Sequence, residues 1–367
     1  MDSLDNTPAL TDPGNANEHK FERQSNIELL RIVATFFILV LHANFQAFGA
    51  PSKSEIMDAP AASFLRFLVQ AIAVVGVDVF VLISGWFGIR PSWKSALNLA
   101  FQFFFFTVGI YAVAVGFGTL KFSKEIILNC FCLGHWNWFL RAYVGLMILS
   151  PILNAYADNT PRKPFALLLT AFFAFEIIYG WMARETQGFY KGQSVISFIG
   201  LYLLARFMRR FRPRWTERTM FHDFCAYGCI ALLIAVGALS SRLAGWKDGV
   251  HTLYSNASPF TIAASAFLLL AFSKLAFAPT KGINRIAKSA YASYLLHTHP
   301  AILAPVFIAT IQSFPLRHSM PSFLAIFGFV LAVYAIAILI DQARIQCWNG
   351  IVRHALPWLD RPKRPNE

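Results

Sequence analysis

Charged residues are scarce in this chain: only 14% of its 367 residues are Asp, Glu, Lys or Arg, whereas 56% are hydrophobic and 37 are Phe. The mean hydropathy of +0.51 is well above what a soluble domain can expose to water, so the composition excludes an ordinary soluble protein. It favours a polytopic membrane protein. A net charge of +13 would suggest a nucleic-acid partner for a soluble protein, but we expect none here, because Lys and Arg also mark the cytoplasmic loops of membrane proteins.

Cysteine is scarce as well, with five in the whole chain. The cysteine spacings match neither a zinc site nor a redox motif, and a disulfide framework is not expected in so large a chain. The nine histidines are scattered. The sequence therefore predicts no metal site, and it contains no G-x-S-x-G motif that would indicate a serine nucleophile.

Long apolar runs predict the fold, because a helix needs about 20 mostly apolar residues to cross a bilayer. Runs of about this length are found at 27–48, 65–88, 96–118, 137–157, 165–183, 194–208, 222–241, 259–278, 289–312 and 321–341. The sequence therefore predicts an all-α membrane bundle of about ten transmembrane helices within a domain at 23–345. The polar segment 1–22 is predicted to be a disordered cytoplasmic tail, and 346–367 a basic cytoplasmic tail.

The distribution of Lys and Arg predicts the orientation of the bundle. Counted over alternate connections between the apolar runs, one set holds 20 of these residues and the other holds 8. Because cytoplasmic loops carry the excess, both termini are predicted to lie in the cytoplasm. The cluster RFMRRFRPRW at 206–215 is the strongest marker, and we interpret it as a topology determinant that touches anionic lipid.

Three ionisable groups interrupt the first apolar run: Glu28, Arg31 and His42. At the helical rotation of about 100° per residue they share one narrow stripe with Thr35, and Arg31 and His42 are about 16 Å apart along the axis. Charges at this depth normally face a bundle interior or a water-filled cavity. A structural alternative is that Glu28 and Arg31 only neutralise each other near the interface. This alternative leaves His42 unexplained, so we favour a chemical role for the stripe.

The residues around this stripe form a longer pattern: Arg23, then Ile27 and Glu28, then Leu30 and Arg31, then Ala34 and His42. The pattern resembles the N-terminal signature of the acyltransferase family 3 membrane proteins. Three further segments resemble family motifs in the expected order: GVDVFVLISGW at 76–86, NWFLRAYVGLMILSPILN at 137–154 and AKSAYASYLLHTHP at 287–300. The segment at 137–154 is especially similar to exopolysaccharide acetyltransferases such as those of xanthan synthesis. Two positions depart from the family pattern, since many members have Asp at position 28 and Gly at position 32.

The resemblance implies acyl transfer from a cytoplasmic acyl-CoA, usually acetyl-CoA, to a sugar hydroxyl. The implied acceptor is a lipid-linked or nascent cell-surface polysaccharide, such as an exopolysaccharide or the O-antigen of lipopolysaccharide. The implied location is the bacterial inner membrane, where the multi-pass protein would contact membrane lipids and associate with the polysaccharide synthesis machinery. No metal is expected to take part.

Roles for the first helix follow from the resemblance and from the chemistry of CoA. Arg23 and Arg31 would bind the CoA phosphates through bidentate contacts at a basic cytoplasmic mouth, and Thr35 would line the path of the thioester. His42 is predicted to be the general base and Glu28 a second catalytic residue. A covalent acetyl-histidine intermediate stays open as an alternative.

Eight further residues in the family-like segments are predicted to bind or support the substrate: Asp78, Ser84, Asn137, Trp138, Arg141, Tyr291, Tyr294 and His297. Several have structural alternatives. Asp78 would be the buried partner of a membrane arginine, Trp138 would belong to an interfacial aromatic belt, and Arg141 would snorkel outward instead of binding a sugar or phosphate. The tyrosines would hydrogen-bond neighbouring helices. Pro300 is predicted to bend the chain just beyond this helix.

A proton-coupled transporter or flippase of a glycan or small metabolite is the competing class of function. Buried charges, His and Tyr in a polytopic bundle would serve such a carrier equally well. The first-helix pattern favours the acyltransferase, and paired interrupted helices are not evident in the sequence. An acyltransferase consumes acetyl-CoA, whereas a carrier is indifferent to it.

Overall fold

The computed structural model describes residues 24–134, 136–183, 188–314 and 320–360, and within these ranges the chain forms helices and no β-strand. The α-helices are α1 (Ser25–Leu41), α2 (Lys53–Asp58), α3 (Pro60–Ala73), α4 (Gly76–Phe87), α5 (Trp93–Gly116), α6 (Lys124–Cys130), α7 (Trp138–Asn159), α8 (Arg162–Phe175), α9 (Val195–Phe211), α10 (Met220–Leu243), α11 (Gly249–Leu253), α12 (Pro259–Ser273), α13 (Lys281–His297), α14 (Pro300–Ile302), α15 (Ala309–Ser313) and α16 (Met320–His354). Three π-helical segments continue them: His42–Gln46, Glu176–Met182 and Leu303–Ile308. Single turns of 3₁₀ helix lie at Tyr190–Gly192, Arg214–Thr216 and Pro357–Asp360. The predicted all-α class is confirmed.

Seven of the described helical segments are long and apolar enough to cross a membrane. An eighth candidate is the pair Lys281–His297 and Pro300–Ser313, which is bent by 63° at the break and so shows the bend predicted at Pro300. Each of the ten predicted runs contains a helix, but Pro259–Ser273 and Val195–Phe211 are shorter than the other spans. The polytopic membrane bundle is therefore supported, while the number ten and the cytoplasmic placement of the termini stay predictions.

The first helix lies inside the bundle, where α1 packs against α3, α4, α12, α13 and α16. The α1 and α4 backbones come close together at Gly76, where an added Cβ would lie 2.7 Å from the carbonyl oxygen of Ala34. Gly85 does the same for α4 and α9, with a Cβ position only 2.4 Å from the carbonyl oxygen of Tyr202. Small residues permit this close packing of membrane helices. Two residues of the polar stripe of α1, Glu28 and Thr35, are buried in the protein interior.

Polar contacts join the helix ends at the end of the bundle where α1 begins. The Ser25 hydroxyl donates to Oδ1 of Asn284 at 3.0 Å, which ties α1 to α13. The Asn26 side-chain amide donates to the carbonyl oxygen of Ser273 at 3.3 Å, which ties α1 to the last turn of α12. An ion pair between Lys274 and Asp223 joins α12 to the first turn of α10. These contacts place the N-terminal ends of α1, α10 and α13 and the C-terminal end of α12 at the same end of the bundle. This is the arrangement expected when successive spans alternate in direction.

The basic cluster at 206–215 has a structural role in addition to its predicted contact with lipid. Arg206 pairs with Asp158, and Arg209 donates to the carbonyl oxygen of Trp86. The guanidinium of Arg210 donates to the carbonyl oxygen of Thr160 at 2.9 Å. Carbonyl groups at helix C-termini have no partner within the helix, and basic side chains can satisfy them. Three arginines of the cluster thus bind the C-terminal ends of α4 and α7.

Candidate active site

The backbone of the first span changes at its predicted catalytic residue. α1 ends at Leu41, and the chain continues as a π-helix from His42 to Gln46. A π-helical turn widens the helix, re-aims its side chains and occurs often at functional sites. Here the turn places both His42 and Gln46 on the wall of one cavity.

His42 meets His297, which comes from the last turn of α13. The Nδ1 atom of His42 lies 2.8 Å from Nε2 of His297, and Nδ1 of His297 lies 2.5 Å from the carbonyl oxygen of Ser293. A carbonyl oxygen only accepts, so Nδ1 of His297 carries the proton and its Nε2 accepts when the ring is neutral. Nδ1 of His42 then donates to His297. The remaining nitrogen of His42, Nε2, keeps its lone pair, as a general base requires.

The cavity at His42 has a volume of about 470 Å³, and we call it the His42 chamber. The volume falls in the usual range for small-molecule sites. Its wall combines amides and aromatic rings with a few aliphatic side chains. The polar and aromatic members besides His42 are Gln46, Gln70, Trp136, Trp138, Gln193, Tyr254, Asn256, Tyr294 and Thr298. Such a wall can exchange hydrogen bonds with a polyhydroxyl ligand, because amides both donate and accept.

A second cavity of about 390 Å³ adjoins the first, and we call it the Arg242 chamber. Five residues belong to both walls: Gln46, Gln70, Gln193, Tyr254 and Asn256. The second chamber adds three basic side chains, Lys191, Arg242 and His251. The two chambers are therefore adjacent, with these five residues between or beside them.

Asp78 supports the shared wall of the two chambers. It is fully buried in the first turn of α4, and its Oδ1 accepts a hydrogen bond of 2.9 Å from the side-chain amide of Asn256. The prediction that Asp78 pairs with a membrane arginine is therefore wrong. Among the described residues, the structure pairs its carboxyl group with the side-chain amide of Asn256. The contact fixes the orientation of Asn256, so Asp78 acts on the chambers through Asn256.

Glu28 and Arg31 form the ion pair that the structural alternative predicted. Glu28 is buried, Arg31 is partly exposed, and the distance from Nε of Arg31 to Oε2 of Glu28 is 3.6 Å. The guanidinium also lies over the ring of Phe80, 5.9 Å from its centroid. Glu28 precedes His42 by 14 residues, or about 21 Å of helical rise, so the structure does not bring the two predicted catalytic residues together.

A series of aromatic rings connects Arg31 to the His42 chamber, and we call it the aromatic path. The ring of Phe80, beneath Arg31, lies 6.5 Å from the ring of Tyr291, which stacks on Tyr294 at 5.8 Å. Tyr294 in turn lines the His42 chamber. The hydroxyl of Tyr291 is buried and has no hydrogen-bond partner among the described residues. The aromatic path therefore contains a buried hydroxyl, that of Tyr291, which could hydrogen-bond a ligand.

Two other predicted residues have their hydroxyls engaged with neighbouring tyrosines. The Thr35 hydroxyl lies 3.0 Å from the Tyr334 hydroxyl of α16 and faces that helix. The Ser84 hydroxyl lies 3.2 Å from the Tyr143 hydroxyl of α7. Neither Thr35 nor Ser84 belongs to the wall of the His42 chamber. Arg23, a predicted CoA ligand, lies outside the described residues.

The segment at 137–141 contributes one residue to the His42 chamber. Asn137 is buried and caps α7, with its Oδ1 accepting from the backbone N–H of Leu140 at 3.3 Å. Trp138 lies on the chamber wall. Arg141 is exposed and is not part of that wall. The structure thus separates the three neighbours into a helix cap, a wall residue and an exposed cation.

Several residues of the chamber wall were not predicted from the sequence. Gln70 could have been predicted, since it is a lone amide inside the apolar run at 65–88. Gln193 and Asn256 lie in connections between runs, where a polar residue carries no signal. Trp136 has a chemically important feature: its indole Nε1–H is buried without a hydrogen-bond partner among the described residues. No group of three or more His, Cys, Asp or Glu in the described ranges could hold a metal ion.

Within an all-helical membrane bundle, a pair of hydrogen-bonded histidines beside a polar chamber can carry out acid–base chemistry. The chain belongs to acyltransferase family 3, because the sequence model of that family, described as an acyltransferase domain, matches residues 24–341. Searches of curated proteins and of solved structures found no match. The family match begins before α1, ends within α16 and includes both histidines of the pair. The chain is thus a multi-pass membrane acyltransferase.

Proposed function

We propose that this enzyme is an O-acyltransferase that moves an acyl group, acetyl in the first instance, from cytoplasmic acyl-CoA to a sugar hydroxyl. The proposed acceptor is a lipid-linked or nascent cell-surface polysaccharide in the bacterial inner membrane, beside the polysaccharide synthesis machinery. The observation that carries the proposal is the hydrogen bond between His297 and His42, which lies on the wall of a polar chamber. Membership of the acyltransferase family supports the reaction class.

The donor would enter from the end of the bundle where α1 begins. Arg31 is held by Glu28 yet remains partly exposed, so its guanidinium fork is still available to a CoA phosphate. Arg23 is proposed to bind CoA as well. From Arg31 the pantetheine arm would follow the aromatic path to the His42 chamber. The unpartnered hydroxyl of Tyr291 would donate to a pantetheine amide on the way.

The acceptor sugar would enter the His42 chamber from the end of the bundle opposite to the one where the donor enters. Amides of Gln70, Gln193 and Asn256 on its wall can each donate to one sugar oxygen and accept from another. The indole rings of Trp136 and Trp138 add flat apolar surface for the C–H face of a sugar ring. The wall contains no described carboxylate that would compete with the hydroxyl for the base.

The proposed reaction uses His42 as a general base and then as a general acid. Nε2 of His42 takes the proton of the sugar hydroxyl while that oxygen attacks the thioester carbonyl carbon, so that a C–O bond forms. The tetrahedral intermediate collapses by breaking the C–S bond, and the CoA thiolate takes the proton back from His42. Nε2 of His297 accepts the Nδ1–H of His42 throughout, which holds the ring in place and stabilises its cation.

The negative charge on the thioester oxygen needs a donor in the tetrahedral intermediate. Trp136 lies on the wall of the His42 chamber, and its indole N–H is buried without a hydrogen-bond partner among the described residues. An oxyanion is stabilised by a hydrogen-bond donor that is already in place and is not paired with another group. We therefore assign this role to Trp136.

The test is a transfer assay with purified protein in nanodiscs, radiolabelled acetyl-CoA and lipid-linked glycan from the host. We expect label in the glycan with the wild type and with His222→Ala, which removes an exposed histidine. Label should fall to background with His42→Ala and strongly with Arg31→Ala, provided that both variants elute as folded protein. No transfer from any acyl-CoA, or full activity of His42→Ala, would overturn the proposal.

The same assay without acceptor separates direct transfer from an acetyl-histidine relay. Direct transfer predicts that no label stays on the protein after denaturation. Label that is bound to the wild type but not to His42→Ala would instead show a covalent acyl-histidine.

A further inference from the structure

The Arg242 chamber contains a group of basic side chains that the proposed reaction does not use. Lys191, Arg242 and His251 lie on its wall, and no Asp or Glu occurs among the described residues of that wall. The remaining wall residues are neutral amides, hydroxyls and apolar side chains. Lys and Arg carry a positive charge, so a concave site that contains Lys191 and Arg242 attracts anions.

Arg242 has a donor that is already removed from water. It lies in the last turn of α10, and its Nε–H is buried without a hydrogen-bond partner among the described residues. A buried polar group without a partner costs free energy, so such groups in native structures often mark a ligand position. A guanidinium fork with a free Nε–H suits the two oxygens of a carboxylate or phosphate.

The Arg242 chamber also lies next to the chamber where the proposed reaction takes place. It shares five wall residues with the His42 chamber, among them Gln70, Gln193 and Asn256. A molecule whose hydroxyl reaches His42 can therefore place another part beside Arg242. The shared amides would contact the intervening sugar.

We propose that the Arg242 chamber binds an anionic group of the acceptor while the reacting hydroxyl lies at His42. This inference rests on the proposed function, since it concerns the acceptor of that reaction. The shared chemistry is a carboxylate or phosphate oxygen pair bound by Arg242. Two sources supply it: the diphosphate that links a glycan to its lipid carrier, or an acidic sugar within the glycan.

The experiment measures binding in nanodiscs of zwitterionic lipid without acyl-CoA, so that it does not depend on transfer activity. Three radiolabelled probes are compared: undecaprenyl diphosphate, a short oligosaccharide containing glucuronic acid, and the matched oligosaccharide with glucose in its place. The proteins are the wild type, Arg242→Gln, Arg242→Lys and Lys247→Gln. Lys247 is exposed in the connection after α10 and is not part of the chamber wall, so its variant removes the same charge elsewhere.

We expect one of the two anionic probes to bind the wild type more tightly than the neutral oligosaccharide. Arg242→Gln should weaken that probe roughly 10- to 100-fold, the loss expected for a charge-assisted hydrogen bond. Arg242→Lys should keep part of the affinity, and Lys247→Gln all of it. The probe that responds identifies the source of the anion.

Equal binding of charged and neutral probes to the wild type would overturn the inference, and so would equal losses in Arg242→Gln and Lys247→Gln. The transfer assay described above is unaffected by either result. A wild type that transfers label but shows no anion preference would leave the acyltransferase proposal standing without this site. A wild type that binds the anion but transfers nothing would overturn the acyltransferase proposal and leave only an anion site at Arg242.

Discussion

His42 and His297 are 255 residues apart in the sequence, yet their ring nitrogens Nδ1 and Nε2 lie 2.8 Å apart. The contact exists because α1 and α13 pack side by side and because the first helix changes to a π-turn at His42. In the proposed reaction this contact gives the late motif at 287–300 a physical role, because its histidine would orient the base on the first helix.

Removing the partner of His42 should slow chemistry without weakening donor binding. We expect His297→Ala to lower kcat by roughly 100-fold or more, because the free imidazole loses its fixed tautomer and orientation. KM for acyl-CoA should be unchanged. His297→Gln keeps an acceptor at similar reach and should recover part of the rate. Steady-state kinetics of the wild type and the two variants would measure these changes. An unchanged kcat for His297→Ala would contradict the role assigned to His297.

Trp136 should contribute to kcat through its N–H group. Trp136→Phe keeps an aromatic ring but removes the donor, and loss of one oxyanion donor typically lowers kcat by about 100- to 1,000-fold. Trp138→Phe is the matched control on the same wall, and it should change kcat little. The comparison uses single-turnover rates at saturating acyl-CoA. Equal effects of the two substitutions would mean that the indole N–H of Trp136 has no special role.

Arg31 should act on donor affinity rather than on the chemical step. We expect Arg31→Gln to raise KM for acyl-CoA roughly 10-fold or more, because one charge-assisted contact to phosphate is lost. Lys288→Gln removes an exposed positive charge near the same end of the bundle and should leave KM close to the wild-type value. The KM values should be measured at two salt concentrations, since screening weakens a phosphate contact. A KM that does not respond to Arg31→Gln would place CoA elsewhere.

The contact between α4 and α9 should be intolerant of added volume. Gly85→Ala would place a Cβ 2.4 Å from the carbonyl oxygen of Tyr202, and we expect a loss of about 1–3 kcal/mol in the free energy of unfolding. Gly109→Ala is the control, because a Cβ there meets nothing within 4 Å and alanine favours helix. Thermal unfolding in detergent should show a lower Tm for the first variant only. An unchanged Tm for Gly85→Ala would show that the two helices can separate at little cost.

Much of the fold was predictable because its signals are local. Apolar runs located a helix in each of the ten predicted segments, and Pro300 located the 63° bend between two of them. The wall of the His42 chamber was only partly predictable. Trp138 and Tyr294 lie in family-like motifs, whereas Gln193 and Asn256 lie in connections, where polar residues are common and carry no pattern.

The sequence by itself determined that Glu28, Arg31, Thr35 and His42 share one stripe of a membrane helix, because helical rotation depends only on spacing along the chain. Only the tertiary structure decided what each of them meets. Thr35 faces Tyr334 on α16, Arg31 lies over Phe80 on α4, and His42 meets His297 on α13. These partners are distant in the chain, and which ones meet depends on how helix surfaces pack together, a property that no local pattern contains.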